Sequence, residues 1–278
     1  MTSVTNMIFF IASKVDEAGL NIAERLIENF GFKETDEKIF GNKAYSMKLK
    51  NSEESKLVFV DVEPVDTQNL PYPENLRMII FLSKHSSKSG MPTLSVHTPG
   101  NIGDAFLGGK PRKVSMSPAS AMKAALIEMK RLQEEMDIPY EVSYECTHHG
   151  PSLDIPAMFV ELGSSPKQWR DEKAAEVVAR GAMAAAENSE VYSTVLGIGG
   201  QHYNRKFTRI ALTKDIAFGH MIPKYAIPEL DEHILKQCVE RTVERVEKII
   251  LDWKGIRGAD KKPLLKILDN LGLEIEKV

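Results

Sequence analysis

Cysteine is scarce: the 278 residues include only Cys146 and Cys238. One closes an apolar strand-like run and the other sits in an amphipathic helical pattern, so a disulfide framework is excluded and a reducing cytoplasm is the expected compartment. Long hydrophobic runs are also missing. The apolar stretch from Met7 to Ala12 has no charged segment before it and is too short for a signal peptide or a membrane span, so it reads as a first buried strand and no membrane partner is expected. Charge of one sign is lacking too, because a net charge of -3 excludes the general basicity of a protein that coats nucleic acid. Local basic patches remain open.

Several motifs are absent. No GxSxG elbow supports a serine hydrolase, no GxGxxG supports a dinucleotide site, and neither HExxH nor CxxC fixes a metal geometry. Gly108-Gly109-Lys110 resembles the end of a phosphate loop, but Pro111 replaces the Ser or Thr and Asp104 stands at the first glycine, which excludes nucleotide triphosphate hydrolysis by that route. There is no internal repeat and no linker that forces a cut, so residues 1–278 are expected to form a single α/β domain with room for a small subdomain.

What is present is an alternation of strand-like and helical patterns. Hydrophobic residues make up 42% of the chain, enough for a full core. The fold class expected is α/β, a mixed sheet flanked by helices. Asp16 caps a helix with Leu20, Ala23, Leu26 and Ile27 on one stripe, ended by Gly31. Extended segments are predicted at 45–49, 57–62, 78–82, 94–96, 140–146, 158–162 and 192–198, with further extended runs at 207–212 and 216–218. Residues 98–113, rich in Gly and Pro, read as loop. Ser117-Pro118 and Ser165-Pro166 are helix starts, for helices reaching about Met136 and about Glu187. Apolar positions from Glu229 to Trp253 recur at helical spacing and predict one long surface helix, followed by a shorter helix at 260–271.

The chemistry lies in the histidines. Of the seven, His85, His97, His148, His149, His202 and His220 follow strand-like runs by a few residues, where loops of an open α/β sheet converge on a crevice; His233, in a helical pattern, reads as a surface residue. The densest unit is ECTHHGP, Glu145 to Pro151. Adjacent histidines in an extended chain face opposite sides, so both serve one site only if the backbone turns there, as Gly150 and Pro151 allow; otherwise they hold the loop through backbone hydrogen bonds. In GGQHYN, Gly199 and Gly200 bring backbone N–H groups close to a ligand beside His202, or simply make a strand-end turn. His97 in SVHTPGN has the same layout, and FGHMIPKYA adds His220, Lys224 and Tyr225. His85, between Lys84 and Lys88, suits a phosphate-contacting loop as well as a metal site. Glu161 ends an apolar strand, where a carboxylate is costly unless it is paired or bound to metal.

Imidazoles with carboxylates suit zinc, which acidifies a bound water; metal-free histidine acid/base catalysis uses the same residues, and spacing does not choose between them. The metal candidates are His97, His148, Glu161, His202 and His220, and the catalytic candidates are His148, His149, His202, Gly199 and Gly200. Basic residues cluster at Lys110, Arg112 and Lys113, at Arg205, Lys206 and Arg209, and again near the C-terminus. The first two groups flank the proposed crevice and, with Lys224, are candidates to hold a phosphate backbone.

Taken in order, ECTHHGPS, VELGSSP, GGQHY and GHMIPKYA resemble the archaeal-type D-aminoacyl-tRNA deacylases, a family also found in plants. The resemblance runs from IASKVDEAGLNI to beyond Tyr225. It implies hydrolysis of the ester between a D-amino acid and the terminal ribose of tRNA, with zinc as cofactor, D-aminoacyl-tRNA as the partner molecule, a monomeric state, and a fold similar to phosphorylases and peptidyl-tRNA hydrolases. Two other readings fit the same residues: a zinc-dependent amidohydrolase or peptidase acting on a small amide, and a non-enzymatic tRNA-binding protein with a structural metal.

Overall fold

A computed structural model describes residues 6–51 and 53–278. The chain opens with β1 (Met7–Ser13) and α1 (Glu17–Phe30). All of β1 is buried because both faces of the strand are covered, and its sequence accordingly shows no alternation. Asp16 accepts the Gly19 N–H at 2.9 Å and Gly31 ends α1 at φ 79°, both as the sequence indicates. Next comes a hairpin of β2 (Lys33–Ile39) and β3 (Asn42–Lys48), turned by Phe40 and Gly41 at positive φ. Sequence reasoning misses β2 because KETDEKI is polar up to its last residue, Ile39; it is an edge strand, where charge is tolerated and discourages further pairing.

The strands β4 (Glu54–Val60), β5 (Leu76–Ser86), β6 (Thr93–His97), β7 (Glu141–Tyr144) and β8 (Ala157–Ser164) complete an eight-stranded mixed sheet ordered β2-β3-β4-β1-β5-β8-β6-β7. β4, β1, β5 and β8 run parallel, whereas β6 lies antiparallel to β8 and carries β7 parallel beside it. The helices α1, α2 (Ala119–Glu135) and α4 (Glu172–Glu187) cover one face of this sheet, packing Leu126, Met129, Val178 and Ala182 against Ile80, Leu82, Val160 and Leu162. Gly181 lets α2 and α4 approach closely, since a Cβ there would lie 2.5 Å from Met129 Cγ. On the opposite face Phe9, Ile11, Ile79, Phe81 and Phe159 form a second apolar layer.

The expected serine caps differ in detail. Helix α2 is capped by a distant carboxylate: Glu244 accepts the Ala119 and Ser120 N–H groups at 3.1 and 2.8 Å, while the buried Ser117 hydroxyl has no partner among the described residues. The segment after Ser165 is two helices, a single turn α3 (Pro166–Trp169) and then α4, restarted by Asp171, which accepts the Lys173 and Ala174 N–H groups.

A second sheet, ordered β10-β9-β11-β12 and parallel throughout, is built from β9 (Ser193–Ile198), β10 (Ile216–Ile222), β11 (Val246–Leu251) and β12 (Glu274–Lys277). Between these strands lie α5 (Arg205–Thr213), α6 (Glu232–Glu240) and α7 (Gly258–Leu268). Two expectations are corrected here. Residues 207–212 belong to α5, started by Asn204, whose side chain accepts the Phe207 N–H at 3.0 Å. The long helix from Glu229 to Trp253 is instead α6 followed by the central strand β11: the β-branched run Val246, Ile249, Ile250 satisfies both periods, and burial between β9 and β12 selects the strand. Among the described residues no helix is long and apolar enough to cross a membrane, and both cysteines are buried and free.

Candidate functional site

The face of the large sheet turned away from α1, α2 and α4 carries the histidine and carboxylate groups. In β8 the side chains of Ala157, Phe159 and Glu161 share one face by simple alternation, and the register sets Glu161 beside Ser83 of β5 and Ser95 of β6. His97 lies opposite Phe159 and stacks on its ring, centroids 5.0 Å apart, while His85 pairs with Gly163 on the other side. Gly163 leaves the room: a Cβ there would sit 2.8 Å from His85 Cβ. These are buried positions on a sheet face, and along β8 they alternate with the core side chains Val160 and Leu162 of the other face.

Loops supply the rest. Glu145 follows β7 and is fully buried; His148 and His149 follow it, and His202 arrives from the loop after β9. The Glu145–Tyr203 bridge, with the Cys146 N–H donating to His202 O at 2.9 Å, ties the two loops together. His149 has φ 40°, a left-handed conformation uncommon outside glycine, and this turn brings its ring to 4.2 Å from that of His148. The backbone thus resolves the question raised by the adjacent pair, since both imidazoles face one centre.

The groups form a chain of overlapping triads: His97, His148 and His149; then His148, Glu145 and His202; then Glu145, His85 and Glu161, with the ligand atoms of each within 4.8 Å of one another. His202 Nε2 lies 2.9 Å from Glu145 Oε2, and His85 Nδ1 lies 3.1 Å from Glu145 Oε1 and 3.3 Å from Glu161 Oε2. The Tyr203 hydroxyl hydrogen-bonds His85 Nε2. His148 Nδ1 donates to Cys146 O at 2.8 Å and His149 Nδ1 to Gly150 O at 2.7 Å, which directs both Nε2 lone pairs inward. A lone pair on His148 Nε2 therefore faces Glu145 Oε2 at 3.6 Å, acceptor against acceptor. Both ring nitrogens of His97 are buried without a hydrogen-bond partner among the described residues, and Glu145 Oε1 has only the His85 Nδ1 contact. A cation held between them removes both costs, and a backbone carbonyl on the far ring nitrogen is the usual orienting contact of a metal-bound imidazole. The donor set fits a divalent ion such as zinc.

The electrostatics divide the centre. Burial alone pushes both carboxyl pKa values up, but His202 and His85 beside Glu145, and His85 and His97 beside Glu161, hold them below the usual carboxylate range. Burial opposes charge on His85 as well, yet Glu145 and Glu161 lift its pKa to about 10. Burial and the neighbouring imidazoles hold His148 well below its ordinary value and His149 at about 4, so these two stay neutral.

A cleft of about 350 Å³ opens onto His148 and His149, walled by Phe106, Leu107, Pro223, Tyr225 and Ala226. The Tyr225 hydroxyl reaches His202 Nδ1 at 3.3 Å.

Other expected site residues lie elsewhere. His220 is inside β10 rather than in a loop, and its nitrogens meet Thr147 Oγ1 at 3.1 Å and Arg241 O at 3.2 Å; it joins none of the triads and holds the scaffold. Gly199 donates its N–H to Ile222 O, and a Cβ on it would meet Ile256 at 2.9 Å. Gly200 lines a separate groove with Lys224 and Asp252. This glycine pair makes a packed turn and does not line the cleft. Among the basic candidates, Arg112 pairs with Asp231, Lys113 with Asp154, Arg205 with Glu141 and Lys206 with Asp252. Lys110 and Lys224 form no ion pair among the described residues.

Sequence reasoning gave no role to Glu145 or Tyr203 and left His85 undecided. The signal for Glu145 was available: a carboxylate at the end of an apolar strand is as costly there as at Glu161.

Fold and centre together define an α/β protein with a buried histidine–carboxylate cluster at the floor of an open cleft. The sequence model of D-aminoacyl-tRNA deacylase matches residues 72–276. Relatives named D-aminoacyl-tRNA deacylase include those of Pyrococcus furiosus, 40% identical over 96% of this chain and 98% of the relative, and of Thermococcus kodakarensis, 42% identical over 95% and 97%. That of Methanosarcina barkeri is 35% identical over 97% of this chain and 89% of its own. The crystal structure of a conserved protein of unknown function, AF0625, superposes with a TM-score of 0.85 at 31% identity, covering 98% of this chain and 95% of that one. The chain belongs to the D-aminoacyl-tRNA deacylase family.

Proposed function

We propose that this protein hydrolyses the ester joining a D-amino acid to the terminal ribose of tRNA, releasing tRNA and the free D-amino acid. The observation that carries the reading is the run of overlapping triads, with buried unpartnered donor atoms, at the floor of a cleft wide enough for an aminoacyl group. It separates this chain from a binding protein with one structural metal, whose closed ligand set has no need of an open cleft.

His97, His148 and His149 would hold zinc in this reading, with Glu161 beside His97, and Glu145 and His202 are left to the proton series. Zinc supplies a polarised carbonyl and an acidified water when bound. The chain's own groups do the rest. His148 and His149, neutral and oriented by Cys146 O and Gly150 O, keep their inner nitrogens available. Glu145, His202 and Tyr225 form a carboxylate–imidazole–hydroxyl series from the buried centre to the cleft wall. As water's oxygen bonds to the ester carbonyl carbon and the bond to the ribose oxygen breaks, this series carries a proton to the leaving oxygen. Phe159, stacked under His97, keeps bulk water from beneath the centre. The unpaired Lys110 and Lys224 are the phosphate contacts of first resort.

Because the centre draws on both sheets, we read the chain as one domain, and a monomer acting in the cytoplasm belongs to the same proposal. Matched D- and L-aminoacyl-tRNA, with and without a chelator, test it. Ester loss from the D-form, abolished by chelation and restored by zinc, is expected; faster cleavage of a simple amide than of either ester would point to an amidohydrolase.

A further inference from the structure

The walls of the cleft carry more apolar surface than ester hydrolysis needs. Phe106 is 87% exposed, Leu107 63% and Tyr225 52%, side by side around one opening. Exposed aromatic surface of this kind marks a binding site. The loop that presents it is firmly held. Asn101 Nδ2 donates to Gly108 O and Lys110 O at 2.9 and 3.2 Å, and the Gly150 N–H donates to Leu107 O at 2.8 Å, fastening the loop to the histidine segment. Gly108 and Gly109, both at positive φ, pack so tightly that a Cβ on Gly108 would lie 2.1 Å from Val65 O. Phe106 is therefore displayed at a fixed place.

The rim has a polar feature as well. The Glu229 carboxylate leans over Gly103, with Oε2 only 1.7 Å from where a Cβ of that residue would be, and Asp104 stands beside it. Neither carboxylate makes an ion pair among the described residues. Aromatic faces for stacking, together with an unclaimed hydrogen-bond acceptor at the edge, are the recognition chemistry of a nucleobase that bears an exocyclic amine. Of the three basic candidates without ion pairs among the described residues, Lys110, Lys224 and Arg209, the first two lie three residues after Leu107 and one before Tyr225 in sequence, close along the chain to the cleft wall.

We propose that Phe106 and Tyr225 clasp the terminal adenine of tRNA, with its exocyclic amine donating to Glu229, so that the 3′-terminal ester rests over His148 and His149. This subsite rests on the deacylase reading. It assigns affinity for the tRNA end chiefly to Phe106, which takes no part in bond breaking, and gives the Tyr225 ring a second use beside that of its hydroxyl.

The test uses the full-length protein, the trinucleotides CCA and CCU, and two esters of one D-amino acid: its tRNA ester and its methyl ester, which carries no base. Wild type is expected to bind CCA about tenfold tighter than CCU, and Phe106→Ala to lose that preference. The variant is expected to lose about tenfold in kcat/KM on the tRNA ester, mostly through KM, with less than twofold change on the methyl ester. Phe106 is solvent-facing, so the variant folds. Equal binding of CCA and CCU by wild type overturns the proposal, as does an equal loss on both esters, which would assign this wall to the amino acid. Should wild type cleave neither ester, the deacylase reading fails, and the trinucleotide preference still decides the base subsite.

Discussion

The strands β5, β6 and β8 have two faces with opposite characters. Toward the helices they present Ile80, Leu82, Leu94, Val96, Val160 and Leu162, all buried in one apolar core. Toward the loops the same strands present His85, Ser95, His97 and Glu161, equally buried, with His97 lacking any hydrogen-bond partner among the described residues. A core gains stability from burial, whereas burial of imidazoles and carboxylates costs it and the pairing of His85 with Glu145 and Glu161 offsets only part of that cost. The chain tolerates that cost on one face only, and that is the face the cleft reaches.

Substitutions on the two faces should therefore separate stability from activity. Glu145→Gln, at the junction of two triads, is expected to lower kcat/KM by on the order of 10³-fold with little change in melting temperature. Leu162→Ala, on the other face, is expected to cost about 2–5 kcal/mol of stability in denaturant titration and to leave kcat per folded molecule unchanged. If the two variants behaved alike, the faces would not be distinct in role.

His220 sharpens the comparison, being a buried histidine outside the centre. Burial lowers its folded pKa to about 4, against about 6.5 when unfolded. Between those values the unfolded chain binds a proton that the folded chain does not, so this contribution is complete above about pH 6.5 and is lost as the pH falls toward about 4. Its size is up to about 3 kcal/mol. A denaturation series across that window is expected to show a flatter acid arm for His220→Gln, whereas an unchanged arm would mean that other groups dominate acid unfolding. The smallest effect is expected at the surface. Lys224→Ala should raise KM for D-aminoacyl-tRNA about fivefold and reduce the salt dependence by about one contact, whereas Lys113→Ala, whose ammonium is already paired with Asp154, should change KM less than twofold.

Much of this was legible in the residues themselves. ECTHHGP, His97, Glu161 and His202 were marked by their position at the ends of strand-like runs, and Asp16 and Gly31 bounded α1 by capping chemistry. What was illegible depended on partners distant in the chain. β11 reads as helix until β9 and β12 enclose it, β2 reads as loop until β3 pairs with it, and α2 is capped by Glu244 from across the fold. His220 matched the strand-end pattern as well as His202 did; the difference is that β10 extends through it and Thr147 and Arg241 occupy its nitrogens. The same limit hid the neutralising partners of Arg112, Lys113, Arg205 and Lys206, since each carboxylate lies far away in sequence.

His148 belongs to two of the three triads, its ring is oriented by Cys146 O, and it forms part of the cleft floor. The decisive measurement is therefore single-turnover deacylation of a D-aminoacyl-tRNA by His148→Ala, with bound zinc determined on the same sample. Loss of at least about 10²-fold in rate together with weakened zinc binding is the expected result; wild-type deacylation by this variant would show that the ester is cut somewhere else.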